Sequence, residues 1–196
     1  MRRRRVIAGA ATLTTISGCL DSGSDEDETA PDRDEPPFDV TTVDAPGSDA
    51  GTVSVPTAEQ VQLVNFIRTT CPTSRGMLSH VGDAKDHFED AYDVGPDGEI
   101  LVMTVINGTA GSQLSESELA DWWVEQDGDW PVGIDESGQL FDAHGVVGTP
   151  TTIAVDGTGD VHWRDEGGTT ASNLVSGVET ALEAAAANGA DEESDD

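Results

Sequence analysis

The chain has 196 residues, with 39 acidic against nine basic side chains and a formal charge of −30. That balance, with a single lysine at Lys85, excludes nucleic acid and polybasic contact with a membrane, because both need cationic clusters that are lacking. Dispersed acids fit a solvated surface better than a cation-binding face, since they are spread over tails, helices and turns and not gathered at ligand spacing.

Residues 1–20 read as a processing segment. Arg2 to Arg5 precede an apolar run from Val6 to Ile16, too short to cross about 30 Å of hydrocarbon and suited to the apolar core of an export signal. Arg3-Arg4-Arg5-Val6-Ile7 resembles the twin-arginine export pattern, whose cargo crosses folded. Ile16-Ser17-Gly18-Cys19 resembles a lipoprotein box, so Cys19 is expected to carry lipid and become the mature N-terminus. The anchored protein would then stand on the extracytoplasmic face of the cell membrane.

Residues 22–37 are rich in Asp, Glu, Ser and Pro with almost no apolar side chains, so burial cannot offset their ordering entropy and they read as a tether. From Phe38 to Asn188 about 150 residues remain, enough for one domain with a substantial core. The first recognisable element within it is a turn and short strand over residues 46–56. The chain therefore divides into a signal segment at 1–19, an acidic tether at 20–45, a folded domain at 46–188 and an acidic tail at 189–196.

Val61 to Ile67 is nearly continuously apolar apart from Gln62 and Asn65, as expected of a central strand covered on both faces. Met77, Leu78, Val81, Ala84 and Phe88 recur at helical spacing within residues 73–91. Asp97-Gly98 is a turn before a second buried strand, Ile100 to Ile106. Ser115 with Glu118 forms a capping-box pattern opening a helix through Gln126, in which Trp122 and Trp123 read as core and near-core residues. Trp130 to Ile134 is a short strand. Thr151 to Val155 and Asp160 to Arg164 flank Asp156-Gly157-Thr158-Gly159, a hairpin signal, and an alanine-rich helix over residues 170–187 closes the domain. This order describes an α/β sandwich with a mixed sheet.

Cys71 is the candidate reactive group. A strand ending at Ile67, a short loop of Arg68-Thr69-Thr70 and a helix beginning at Cys71-Pro72-Thr73-Ser74 would place its sulfur against unpaired helix N–H groups and the positive end of the helix dipole. Both favour thiolate, so its pKa should lie below the free value of about 8.5. Proline suits the first helical turn because its missing N–H has no intrahelical partner there.

Three motifs in this order resemble the thioredoxin fold, most closely the membrane-anchored TlpA and ResA-like thiol-disulfide oxidoreductases. Residues 63–74 resemble the family's V-N-F-W-A-T-W-C-x-x-C run with its aromatic residues replaced. Val147-Gly148-Thr149-Pro150-Thr151-Thr152 is similar to V-x-G-x-P-T, and Val155-Asp156-Gly157-Thr158-Gly159-Asp160-Val161 to the D-x-x-G-x-[IV] hairpin. The resemblance implies a thioredoxin-like three-layer sandwich with a mixed central sheet, and Cys71, Ser74 and Pro150 as the catalytic positions. It further implies a cis Pro150 beside the cysteine, with Pro72, Thr73 and the Thr149 backbone contacting an extended substrate. The acidic, lysine-poor composition resembles that of haloarchaeal proteins.

Ser74 departs from the family. The second cysteine of a dithiol enzyme resolves the mixed disulfide, a step a hydroxyl cannot perform, so single-thiol exchange with extracytoplasmic protein or small-molecule thiols and disulfides is expected. Other readings stay open. Thr70-Cys71-Pro72-Thr73 is superficially similar to peroxiredoxins, with Arg68 or Arg75 able to lower the thiol pKa. A Sco-like copper module would need an improvised site from Cys71, Met77 and His80 or His144, since Arg75 holds the place of its second cysteine. A redox-inactive interaction domain of the same fold is the third. No cofactor or resident metal is expected, and oligomeric state is open.

Overall fold

The computed structural model describes residues 35–110 and 114–192. The signal segment with Cys19, the tether up to residue 34 and residues 193–196 lie outside the described residues. Seven strands and four helices follow in the order β1 (Phe38–Thr42), β2 (Gly51–Val55), β3 (Val61–Ile67), α1 (Pro72–Glu89), β4 (Ile100–Asn107), α2 (Glu116–Glu125), β5 (Val132–Asp135), α3 (Gln139–Ala143), β6 (Thr151–Val155), β7 (Val161–Glu166) and α4 (Ala171–Glu192). No helix among the described residues is long and apolar enough to cross a membrane.

The strands form one sheet in the order β2-β1-β5-β4-β3-β6-β7. Its centre is parallel, β3 with β4 and β4 with β5, while β6 and β7 add antiparallel at one edge and β1 and β2 at the other. Alternation along the central strands builds two cores. Leu63, Ile67, Val102 and Ile106 face Met77, Val81 and Phe88 of α1, Leu119 and Trp123 of α2, and Leu174 and Val178 of α4. Val64, Phe66, Leu101, Met103 and Val105 face Leu140 and Phe141 of α3 and, from the edge hairpin, Phe38, Val40 and Val55. The result is the mixed-sheet, three-layer sandwich anticipated from the element order.

Three elements differ from expectation. The domain is expected to begin at Pro46, with residues 38–45 counted in the tether, but Phe38–Thr42 is a strand that pairs with both β2 and β5. Phe38 and Val40 are buried, and that burial supplies the driving force which the preceding acidic segment lacks. Helix α3 has only five residues and no periodic signature. It is fixed instead by the buried Asp135 carboxylate, which accepts the N–H groups of Gly138 at 2.9 Å and Phe141 at 3.0 Å. The terminal helix also runs to Glu192, beyond the expected end at Ala187. The capping box is formed as read, with Ser115 Oγ accepting the Glu118 N–H and the Glu118 carboxylate accepting the Ser115 N–H.

The β6–β7 turn is organised by Asp156, which is 1 % exposed. Burial by itself raises the pKa of this carboxyl, but the donors around it outweigh that cost: the Thr158 hydroxyl, the His162 ring, and the N–H groups of Asp160 and Thr158 hold it at about 2. Because the folded pKa lies below the unfolded value of about 3.9, the contribution is full above pH 4 and is lost as pH falls toward 2. Asp156→Asn should therefore cost about 2 kcal/mol at neutral pH. In urea melts, the gap between variant and parent should narrow over pH 4 to 2.

Candidate active site

Cys71 occupies the N-cap of α1 with extended backbone (φ −87°, ψ 119°), and Pro72 takes the first helical position. The approach loop is closed by two backbone bonds, Cys71 N–H to the Arg68 carbonyl at 2.9 Å and Arg75 N–H to the Cys71 carbonyl at 3.1 Å. Cys71 is partly exposed, Pro72 and Thr73 are exposed, and Ser74 is fully buried. The Ser74 hydroxyl accepts the Arg68 N–H at 3.4 Å, and Arg75 Nε donates to the Thr69 carbonyl at 2.8 Å. The serine thus braces the loop that delivers the cysteine as well as facing its sulfur.

The second half of the site comes from the turn between α3 and β6. The Thr149–Pro150 peptide is cis, Pro150 is buried, and the thiol of Cys71 donates to the Thr149 carbonyl at 3.6 Å. The fold therefore brings Cys71, Ser74, Thr149 and Pro150 together although 78 positions separate Cys71 from Thr149. The Thr149 carbonyl serves the protonated sulfur only. Donors on the other side favour the anion: the Ser74 hydroxyl foremost, then the Ser74 N–H, with smaller help from Thr73, exceed the opposing effect of burial and lower the Cys71 pKa. Arg68 and Arg75, considered above for this role, are not among its causes.

Met77 does not join this site. It is 1 % exposed on the core face of α1, and its sulfur accepts the Thr169 N–H at 3.5 Å. His80 lines a separate cleft with Thr73, Asp165 and Asn173, and His144 packs at ring-centroid distances of 6.4 Å from Phe38 and 6.2 Å from Phe66. The copper ligands considered above are thus dispersed, and no group of three or more His, Cys, Asp or Glu placed to hold a metal occurs among the described residues.

Sequence reasoning missed the supports of the Thr149 turn. Arg164 on β7 donates through Nη1 to the His144 carbonyl at 2.7 Å and through Nη2 to the Gly145 carbonyl at 3.3 Å, pinning the turn from across the sheet edge. Beside the turn lies a groove of about 380 Å³, walled by Ile67, Arg68, Ile106, Phe141, Val147 and Thr149. Val147 is 96 % exposed at its lip. No local motif announces either feature, because their parts come from strands and turns distant in the chain.

No family model matches the chain, and no curated protein matches its sequence. Solved structures do. StoA from Bacillus subtilis is 18 % identical with a TM-score of 0.57, over 71 % of this chain and 93 % of that one. The exposed lipoprotein thioredoxin of Streptococcus pneumoniae is 18 % identical with a TM-score of 0.58, over 74 % and 98 %. A thiol:disulfide interchange protein of the thioredoxin family from Chlorobium tepidum is 17 % identical with a TM-score of 0.53, over 76 % and 99 %. Similarity at this level of identity is similarity of architecture, and it establishes that the domain has a thioredoxin-like fold.

Proposed function

We propose that the chain is an exported, lipid-anchored protein that carries out thiol-disulfide exchange through the single thiol of Cys71. The observation that carries this reading is the pairing of a partly exposed, pKa-lowered cysteine at a helix start with the Thr149 carbonyl beside Pro150. A thiolate there attacks one sulfur of a bound disulfide, the S–S bond breaks, and the other sulfur leaves as thiolate. Thr149, preceding Pro150, offers backbone to an extended partner, and Ser74 stabilises the thiolate without resolving the product. A second thiol from solution must then release Cys71. Anchoring through Cys19 would raise the effective concentration of the site toward other surface proteins.

The test is to incubate the purified domain with a disulfide-bearing protein, with a small disulfide and with peroxide, and to weigh the Cys71 adducts. Reversible mixed disulfides are expected, and none in Cys71→Ser. Because the Cys71 pKa is lowered, the rate of adduct formation should rise with pH and level off below the pH at which an ordinary thiol of pKa about 8.5 does so. A rapidly formed sulfenic acid at low peroxide would favour the peroxidase instead, and an unreactive Cys71 would sink both.

A further inference from the structure

Positive charge is scarce, and its placement is informative. Among the described residues the cations are Arg68, Arg75, Lys85 and Arg164. Lys85 lies 2.9 Å from Glu89 and 3.4 Å from Asp129. Arg164 pairs with Glu166 at 2.9 Å and holds the His144 turn, and Arg75 is tied to the Thr69 carbonyl. Only the Arg68 guanidinium, among the described residues, is exposed without a hydrogen bond or ion pair. Arg68 lines the groove beside Thr149, and no carboxylate among the described residues lines it. In a chain of charge −30, a groove lined by Arg68 and otherwise, among the described residues, by neutral side chains is an exception that a generally acidic surface does not explain.

We propose that this groove receives the carboxylate end of a small anionic disulfide or thiol, with Arg68 as the recognition residue. The inference rests on Cys71 being an exchange thiol and names the class of its small partner. A volume of about 380 Å³ is of the size of small-molecule sites. A guanidinium suits a carboxylate because its fork can donate two parallel N–H bonds. A small ligand is favoured over an acidic protein, since a macromolecular polyanion would meet the repulsion of the whole acidic surface. The missing second cysteine points the same way, because the thiol that releases Cys71 must come from solution and pass close to the sulfur. The cycle balances: the Cys71 thiolate displaces one thiolate from R–S–S–R to give Cys71–S–S–R. A second small thiolate then attacks the R sulfur, restoring the Cys71 thiolate and forming a new small disulfide, with no outside oxidant.

The probes are dithiodipropionate, which is dianionic, and hydroxyethyl disulfide, which is neutral. Rates of Cys71 adduct formation are measured by mass for both, and the anionic-to-neutral ratio is compared across variants at one salt concentration. Arg68→Gln should lower the ratio about fivefold, the upper range for an exposed charge pair, and Arg68→Lys should recover part of it. Lys85→Gln, which removes the same charge far from the groove, should leave the ratio at the parent value. An unchanged ratio in Arg68→Gln, or an equal fall in Lys85→Gln, overturns the proposal while leaving exchange at Cys71 intact. If neither disulfide forms an adduct with the parent protein, exchange itself fails and the proposal with it.

Discussion

If Cys71 works as the proposed single exchange thiol, Ser74→Cys should let the mixed disulfide be resolved within the chain itself. Position 74 lies in the first turn of α1, three residues after Cys71, is fully buried, and already supplies the main hydrogen bond that favours the thiolate. Residues three apart at a helix start lie within the Cα separation a disulfide needs, about 4.4–6.8 Å. A thiol held there meets the mixed disulfide at a local concentration far above that of millimolar thiol in solution, so the lifetime of the Cys71 adduct should shorten by at least about tenfold. The measurement is the decay of a preformed mixed disulfide followed by mass, with an internal disulfide between Cys71 and the introduced thiol as product. A lifetime equal to that of the parent would mean that α1 does not present position 74 to the sulfur, and would remove the explanation given for single-thiol chemistry. The exchange also has a cost in local structure. Sulfur is a weaker acceptor than the Ser74 oxygen that now takes the Arg68 N–H, so the loop should be held less firmly in the reduced variant.

How much of this was legible in the chain depends on how local each signal is. The central strands and α1 were readable because their spacing is long and regular: seven successive buried residues in β3, and Met77, Leu78, Val81, Ala84 and Phe88 on one helix face. Cys71, Ser74 and Pro150 were legible as motif positions. Strand β1 was not, since five residues with only Phe38 and Val40 to mark them follow an acidic run, and their pairing with β5 is non-local. Helix α3 escaped for a related reason: Asp135 organises it from the end of a strand, through bonds to backbone N–H groups that any sequence would carry. The grip of Arg164 on the His144 turn spans 20 positions and uses carbonyl acceptors, so side-chain identity says nothing about it. What is legible in the sequence is Cys71 and the motif positions the fold brings beside it, Ser74, Thr149 and Pro150. What it concealed was the scaffolding that fixes the facing turn and leaves the groove open.

That scaffolding converges on Phe66, and Phe66→Ala should be the most damaging of the substitutions considered for stability. Phe66 is fully buried on β3, in edge contact with Phe141 of α3 at a centroid distance of 4.8 Å and an interplanar angle of 76°, and lies 6.2 Å from the His144 ring. Truncating a buried phenylalanine costs about 3–5 kcal/mol through lost burial and the cavity left behind, against a total stability of about 5–15 kcal/mol for a domain. The position has a second consequence because of what leans on it. Phe141 and His144 bracket the start of the turn that ends in Thr149 and Pro150, so removing the ring withdraws support from one wall of the site while Cys71, carried by α1, keeps its own. Exchange at Cys71 should therefore slow in Phe66→Ala under conditions where circular dichroism still reports a folded domain, while the pH at which its rate levels off stays that of the parent, because Ser74 and Thr73 are untouched. The urea midpoint should fall with the slope preserved, and Phe66→Leu, which refills most of the volume, should recover more than half of both losses. A fall below about 1.5 kcal/mol, half the lower bound for such a truncation, or a large loss of stability with no change in exchange rate, would show that the Thr149 turn is held by Arg164 and the sheet edge alone, and that the core around Phe66 and Phe141 does not reach the sulfur.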